Sequence, residues 1–227
     1  MAECLLCHRS MSHQLTLTQL LLPVPIEKRC CCERCWQQFE AIHSDKACSV
    51  CGRQLTTRTI CQDCQKWQKQ ATMEFKNRAC FVYNEAMQAF MQQYKFAGDY
   101  RLAAVFEPFF RQQVNRQKAD IVVPIPVSEE TMQTRGFNQV MGLLPNVVYQ
   151  SPLAIKSNWH KVRQSSKNRH DRLQSPQPFI ISRPELIAGK SVLIVDDVYT
   201  TGRTIRHAAK LIQDAGARQV NGLTLAR

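Results

Sequence analysis

The sequence predicts an α/β fold, a parallel sheet flanked by helices, preceded by a small N-terminal zinc-binding segment. Three observations carry that expectation. Short β-branched apolar runs alternate with amphipathic helical stretches, the pattern of a parallel sheet covered on both faces. Ten of the eleven cysteines lie before residue 65, most of them as C-x-x-C pairs. One apolar run ends in two aspartates and a Thr/Gly turn that opens a helix, where parallel sheets place their ligands. At 227 residues with 44% hydrophobic and 21% charged content, the chain suits one full domain plus an appendage, and a disordered or collagen-like chain is excluded.

The cysteine distribution divides the chain into residues 1–78, a cysteine-rich zinc-binding unit with its linker, and residues 79–227. A segment of the first length buries too little surface to be stable without help, and a metal supplies it. Its pairs are Cys4 with Cys7, Cys32 with Cys35, Cys48 with Cys51 and Cys61 with Cys64. Two residues between thiolates let both sulfurs reach one ion, and two such knuckles close a tetrahedral Cys4 zinc site. The last two pairs stand nine residues apart, with Gly52 after Cys51 for the knuckle turn. The first two stand 24 apart, and the run Cys30–Cys32 leaves more than one ligand register open. Four thiolates leave no position for water or substrate, so the metal is expected to be structural or to build a contact module.

Beyond the cysteines, Trp67 to Arg78 reads as a polar helix or linker and Cys80 to Tyr83 as a short strand. Met87, Phe90, Met91 and Tyr94 recur at helical spacing, as do Leu102, Val105, Phe106, Phe109 and Phe110, with Pro108 expected to bend or restart the second helix. Ile121–Ile125, Val192–Val195 and Val220–Leu225 read as strands. Between the last two, Thr204 to Ala215 is an amphipathic helix stopped by Gly216.

No apolar run reaches the roughly 18 residues of a membrane span; the best, Leu15 to Val24, is broken by polar residues and Pro23. The start, MAECLLCH, lacks the basic region of an export signal. A cytoplasmic protein with reduced thiols and no membrane insertion is therefore expected. Thirty Lys and Arg against 18 Asp and Glu give a net charge of +12, which favours polyanionic partners such as nucleic acid or phosphorylated small molecules.

The stretch VLIVDDVYTTGRT, Val192 to Thr204, holds the clearest chemistry. Asp196 and Asp197 offer acceptors for ribose hydroxyls at a strand end. Thr200, Thr201, Gly202, Arg203 and Thr204 offer hydroxyls and successive N–H groups at a helix N-terminus, a phosphate cradle. It resembles the PRPP-binding signature of the type I phosphoribosyltransferases, in which the acidic pair holds the ribose and the turn holds the 5-phosphate; on that resemblance magnesium accompanies PRPP. Upstream, VPIPVSEETMQTRGFNQ, Val123 to Gln139, resembles the pyrophosphate loop region of that fold, with Arg135 placed to pair with phosphate and Asn138 to cap the next helix.

Taken together, the cysteine knuckles, YKFAGD at Tyr94 to Asp99, VPIPVS, RGFNQ and VDDVYTTGRT resemble the ComF family, specifically the ComFC-type late competence proteins and their GntX-like relatives. The resemblance spans essentially the whole chain. It implies a type I phosphoribosyltransferase-like domain in a protein that helps bring transforming single-stranded DNA into the cell, working with a ComFA-type helicase and a DprA-type mediator. Independently of it, Lys156, Lys161, Arg163, Lys167, Arg169 and Arg172 face only Asp171 in one basic stretch, with Trp159 available to stack on a base. Such a stretch suits single-stranded DNA. It also falls where phosphoribosyltransferases keep a mobile loop over PRPP, and a solvated basic loop is the plain alternative.

Three functional classes remain: a PRPP-responsive DNA-uptake factor, a phosphoribosyltransferase acting on a nitrogenous acceptor, and a zinc-dependent protein adaptor. Thr200 occupies the position at which purine phosphoribosyltransferases often carry an acidic base, which weighs against the second.

Overall fold

The protein is seen here as a computed structural model, which describes residues 2–11, 21, 30–70, 73–156 and 177–227. Among these, the elements are β1 (Ala2–Glu3), β2 (Ser10–Met11), α1 (Glu33–Trp36), α2 (Gln62–Gln70), β3 (Lys76–Phe81), α3 (Glu85–Lys95), α4 (Ala103–Arg116), β4 (Ile121–Pro124), α5 (Glu129–Arg135), α6 (Gln139–Gly142), β5 (Leu153–Ile155), β6 (Phe179–Ile181), β7 (Ser191–Val198), α7 (Arg203–Asp214) and β8 (Gln219–Ala226).

The central sheet runs β3-β8-β7-β4, with every neighbouring pair parallel. Its inner strands are the apolar runs read from the sequence. Because side chains alternate across a strand, Leu193 and Val195 of β7 enter a core with α3 and α4, while Val192 and Ile194 enter a second core with α7. Both faces are thus covered, as a parallel sheet requires. Asn84 caps α3 by accepting from the Met87 N–H at 3.0 Å, and Gly216, at φ 89°, ends α7.

Two expectations need correction. The first outer strand runs Lys76–Phe81 rather than Cys80–Tyr83, and the polar stretch before it divides between the end of α2 and the start of this strand. Lys76 and Arg78 are exposed while Asn77 and Ala79 are buried; this alternation marks an edge strand, which a search for continuous apolar runs passes over. The change in cysteine content at 78/79 therefore falls inside β3. Second, α4 does not restart at Pro108 but continues through it. Pro108 removes only the bond to the Ala104 carbonyl, and Ala104 lies on the exposed side of the helix, within reach of water.

The cysteine-rich segment wraps the β3 edge of the sheet. Ile42 donates to the Cys80 carbonyl at 2.9 Å, Val82 to Glu40 at 2.8 Å, and Asn77 to Val50 at 2.7 Å, which satisfies the open edge. Its two halves reach opposite faces: Cys4, Cys31, Cys35 and Phe39 join the core with α3 and α4, whereas Cys48, Cys51, Cys61 and Cys64 join the core with α7.

Candidate functional site

The loop after β7 is held from behind through three of its backbone carbonyls. The Arg227 guanidinium donates from Nη1 to the carbonyls of Tyr199 at 3.1 Å and Thr200 at 3.0 Å, and the Trp67 indole N–H donates to that of Thr201 at 3.1 Å. In a trans peptide the C=O and the following N–H point in opposite directions. The N–H groups of Thr200, Thr201 and Gly202 therefore face away from these braces, and none donates to a backbone carbonyl among the described residues. Three N–H groups turned away from these braces, just before a helix N-terminus, are of the kind that can cradle an anion. Gly202 makes the turn possible at φ 78°, and a Cβ there would lie 2.1 Å from the Tyr199 ring. That ring is fixed in turn: Arg206 Nε donates to its hydroxyl at 3.1 Å, and the Arg227 guanidinium lies 4.3 Å from its centroid. Burial pushes the Tyr199 hydroxyl up to about 12, against the opposing pull of Arg206.

At the end of β7, Asp196 and Asp197 are both buried. Each uses one carboxylate oxygen on the next backbone N–H: Asp196 Oδ1 accepts from Asp197 at 2.9 Å, and Asp197 Oδ1 accepts from Val198 at 2.6 Å. The other Asp197 oxygen is paired with Lys95 Nζ, 2.6 Å away. Arg135 closes α5 before Gly136, at φ 81°, and stands in the field of Asp197 while bonded to Gln139 Oε1. Asn138 anchors this turn to the end of β4 by donating to the Ile125 carbonyl at 3.0 Å, and it caps α6 by accepting from Val140 at 2.8 Å. Tyr94 Oη completes the tie by donating to the Gln139 carbonyl at 2.8 Å.

The eight predicted ligands gather as two quartets, Cys4, Cys7, Cys32, Cys35 and Cys48, Cys51, Cys61, Cys64, the sulfurs of each within 4.8 Å of one another. This settles the register of the first quartet on Cys32, with Cys30 and Cys31 outside it. Backbone N–H groups of Cys32 and Cys61 donate to the sulfurs of Cys4 and Cys48 at 3.3 Å, as knuckle turns require. Although burial opposes it, the N–H groups of Cys32, Cys7 and Leu6 hold the Cys4 thiol down at about 6. Hydrogen bonds from Cys51 and Cys64 drive Cys48 strongly toward thiolate. Four sulfurs in a closed shell fit a tetrahedral structural metal, and zinc is the ion this donor set suits.

Comparison with known proteins places the chain in a family. The phosphoribosyl transferase domain family matches residues 148–227, which hold β7, the anion cradle, α7 and β8. Competence protein ComFC of Streptococcus pneumoniae is 38% identical over 99% of this chain and 100% of its own length. The chain belongs to the ComFC family. Competence protein ComFC of Bacillus subtilis is 31% identical over 99% of this chain and 94% of its own. Competence protein F of Haemophilus influenzae is 25% identical over 89% and 92% respectively.

Within this ComFC-family chain, the structure brings Asp196, Asp197, Thr200, Thr201, Gly202, Arg203 and Thr204 to one end of β7, with Arg135 close enough to feel the charge of Asp197. Of the basic stretch, Lys156 is described and exposed, just after β5; Trp159, Lys161, Arg163, Lys167, Arg169 and Arg172 lie outside the described residues. The strands on either side of that stretch, β5 and β6, pair antiparallel. Among the described residues no helix is long and apolar enough to cross a membrane. Sequence reading misses four residues of the site: Lys95, Trp67, Arg206 and Arg227. Lys95 sits inside the YKFAGD stretch, but its partner is about a hundred positions away, and no local pattern links Trp67 to Thr201.

Proposed function

We propose that this protein is a cytosolic late competence factor that assists uptake of transforming single-stranded DNA and binds both PRPP and single-stranded DNA. The observation that carries the PRPP half is the set of N–H groups at Thr200, Thr201 and Gly202 turned away from the Arg227 and Trp67 braces, beside the buried acids Asp196 and Asp197. The cradle suits the 5-phosphate, the acids suit the ribose hydroxyls, and Arg135 suits the diphosphate, whose charge magnesium bound with PRPP would help offset. The DNA half is supported by the net charge and by the basic stretch from Lys156 to Arg172, where cations neutralise backbone phosphates and Trp159 stacks on a base. The competence role is supported by the named relatives, and a ComFA-type helicase and a DprA-type mediator are the partners proposed with it.

Titration of a labelled single-stranded oligonucleotide with the zinc-loaded protein, with and without PRPP and magnesium and at two salt concentrations, tests this reading. Salt-sensitive binding altered by PRPP is the expected result, with the PRPP effect lost in the Asp196→Asn, Asp197→Asn double variant. No DNA binding in any condition would overturn the DNA half and move the assignment to a transferase or an adaptor.

A further inference from the structure

We propose that Lys95 is the ligand-exchange residue of this site: it holds Asp197 while no ligand is bound, and it passes to the diphosphate when Asp197 turns to the ribose hydroxyls and magnesium. The inference rests on the PRPP reading above and names a positioning residue for it.

Two adjacent buried carboxylates require a cation in the absence of ligand, because an uncompensated buried charge is strongly unfavourable. Lys95 supplies it at 2.6 Å, with side-chain exposures of 17% for Lys95 and 6% for Asp197. Asp197 Oδ1 is already used on the Val198 N–H, so the ammonium stands on the oxygen that a ribose hydroxyl or a magnesium ion would use. Ligand entry must therefore move Lys95. Two features let it move without leaving the site. A lysine is a point charge on a flexible four-carbon stem, unlike the planar Arg135 guanidinium that is tied to Gln139. Lys95 is also the last residue of α3, where the helix C-terminus favours a cation whether or not Asp197 is its partner. Arg135 lies in the field of the same Asp197 and is thus a second cation near the acidic pair.

Calorimetric titration of the zinc-loaded full chain tests this, using PRPP with excess magnesium and then magnesium alone, for wild type, Lys95→Met and Lys95→Arg. Lys95→Met is expected to bind PRPP about tenfold more weakly, the lower end for loss of a charge-assisted bond. It is expected to bind magnesium alone more tightly than wild type, because the competing ammonium is gone. Lys95→Arg is expected to recover part of the PRPP affinity and to leave magnesium binding at the wild-type level. Opposite movement of the two ligands separates exchange from a merely structural role, which would weaken both together with the melting temperature. Unchanged PRPP affinity in Lys95→Met, or a parallel loss of both ligands, would overturn the proposal. Should Lys95→Met not fold, Lys95→Arg decides: several-fold weaker PRPP binding supports exchange, and wild-type affinity overturns it. Wild type that takes no PRPP would sink the PRPP reading itself, whereas wild type that binds beside an indifferent Lys95→Met sinks only the role of Lys95.

Discussion

Replacing Trp67 with Phe asks whether the cysteine-rich segment holds the anion cradle in shape. The indole N–H bond to the Thr201 carbonyl, 3.1 Å long, is removed, and because Thr201 is only half-buried water can take its place. The net cost is then that of one ordinary hydrogen bond, about 1 kcal/mol. The phenyl ring still lies under the Arg206 guanidinium, now 5.1 Å from the Trp67 ring, so most of the cation–π attraction survives. If that energy comes from the ligand-ready form of the loop, the dissociation constant for PRPP rises by up to about fivefold, since affinity scales with the competent population. Trp67→Ala removes the ring as well and is expected to cost about 2–3 kcal/mol in all. Calorimetric PRPP titration paired with urea denaturation measures both quantities. A Trp67→Phe variant that loses about 1 kcal/mol of stability and binds PRPP with wild-type affinity would refute the bracing argument, because the bond would then serve the fold alone.

Other outcomes follow from the same geometry. Gly202→Ala forces a side chain into the left-handed region and onto a Tyr199 ring fixed by Arg206 and Arg227; about 2–5 kcal/mol of destabilisation is expected from strain and overpacking, read as a lowered melting temperature. His207 is held down at about 4 by burial and by nearby Arg203, so the unfolded chain takes up its proton first: stability is full above pH 6.5 and falls between 6.5 and 4, by about 1–2 kcal/mol after allowance for solvent screening. His207→Gln should flatten that part of the pH–stability curve. Charge reversal of Lys161, Arg163, Lys167, Arg169 and Arg172 should weaken single-stranded DNA binding and lower its salt slope by roughly 0.7 for each phosphate left without its cation; an unchanged slope would place the DNA elsewhere. Native mass spectrometry should find two zinc ions per chain, and chelation should destabilise the protein and weaken PRPP binding together, since metal binding and folding of such segments are coupled.

What is legible in the sequence follows how local the cause is. Val192–Val195 and Val220–Leu225 announce central strands because both their faces are buried, and Asn138 announces a cap because its partners, Val140 and Met141, are its neighbours. The C-x-x-C spacing assembles the quartets for the same reason: each knuckle is a short-range turn. Strand β3 is obscured because near its start the buried face carries the polar Asn77 and the other face Lys76 and Arg78, and its outer edge is satisfied by a segment more than twenty residues upstream. The charge pairing of Asp197 is illegible altogether, since any of the basic residues in the chain could have met it. Only the path of α3 along the sheet selects Lys95.

That path also explains why a cysteine-rich segment belongs to this site. The first quartet packs on the face of α3, where Phe39 meets Phe90 at 6.2 Å between ring centroids and Asn84, the α3 cap, donates to the Gln38 carbonyl at 2.9 Å. The same helix ends in Lys95. The second quartet lies behind the anion cradle: Cys61 and Cys64 frame the start of α2, the helix that carries Trp67 to Thr201, and Asp63 between them stands 3.8 Å from Arg227, which holds Tyr199 and Thr200. Each quartet thus supports a different part of the site, one the cation at its acidic pair and the other the loop backbone proposed to face a phosphate. A short segment with little core of its own can do this only while its thiolates are held together, because the knuckles supply the rigidity that buried apolar surface cannot. The two cysteine quartets and the loop after β7 are therefore parts of one structure, joined through α3 on one face of the sheet and through α2 on the other.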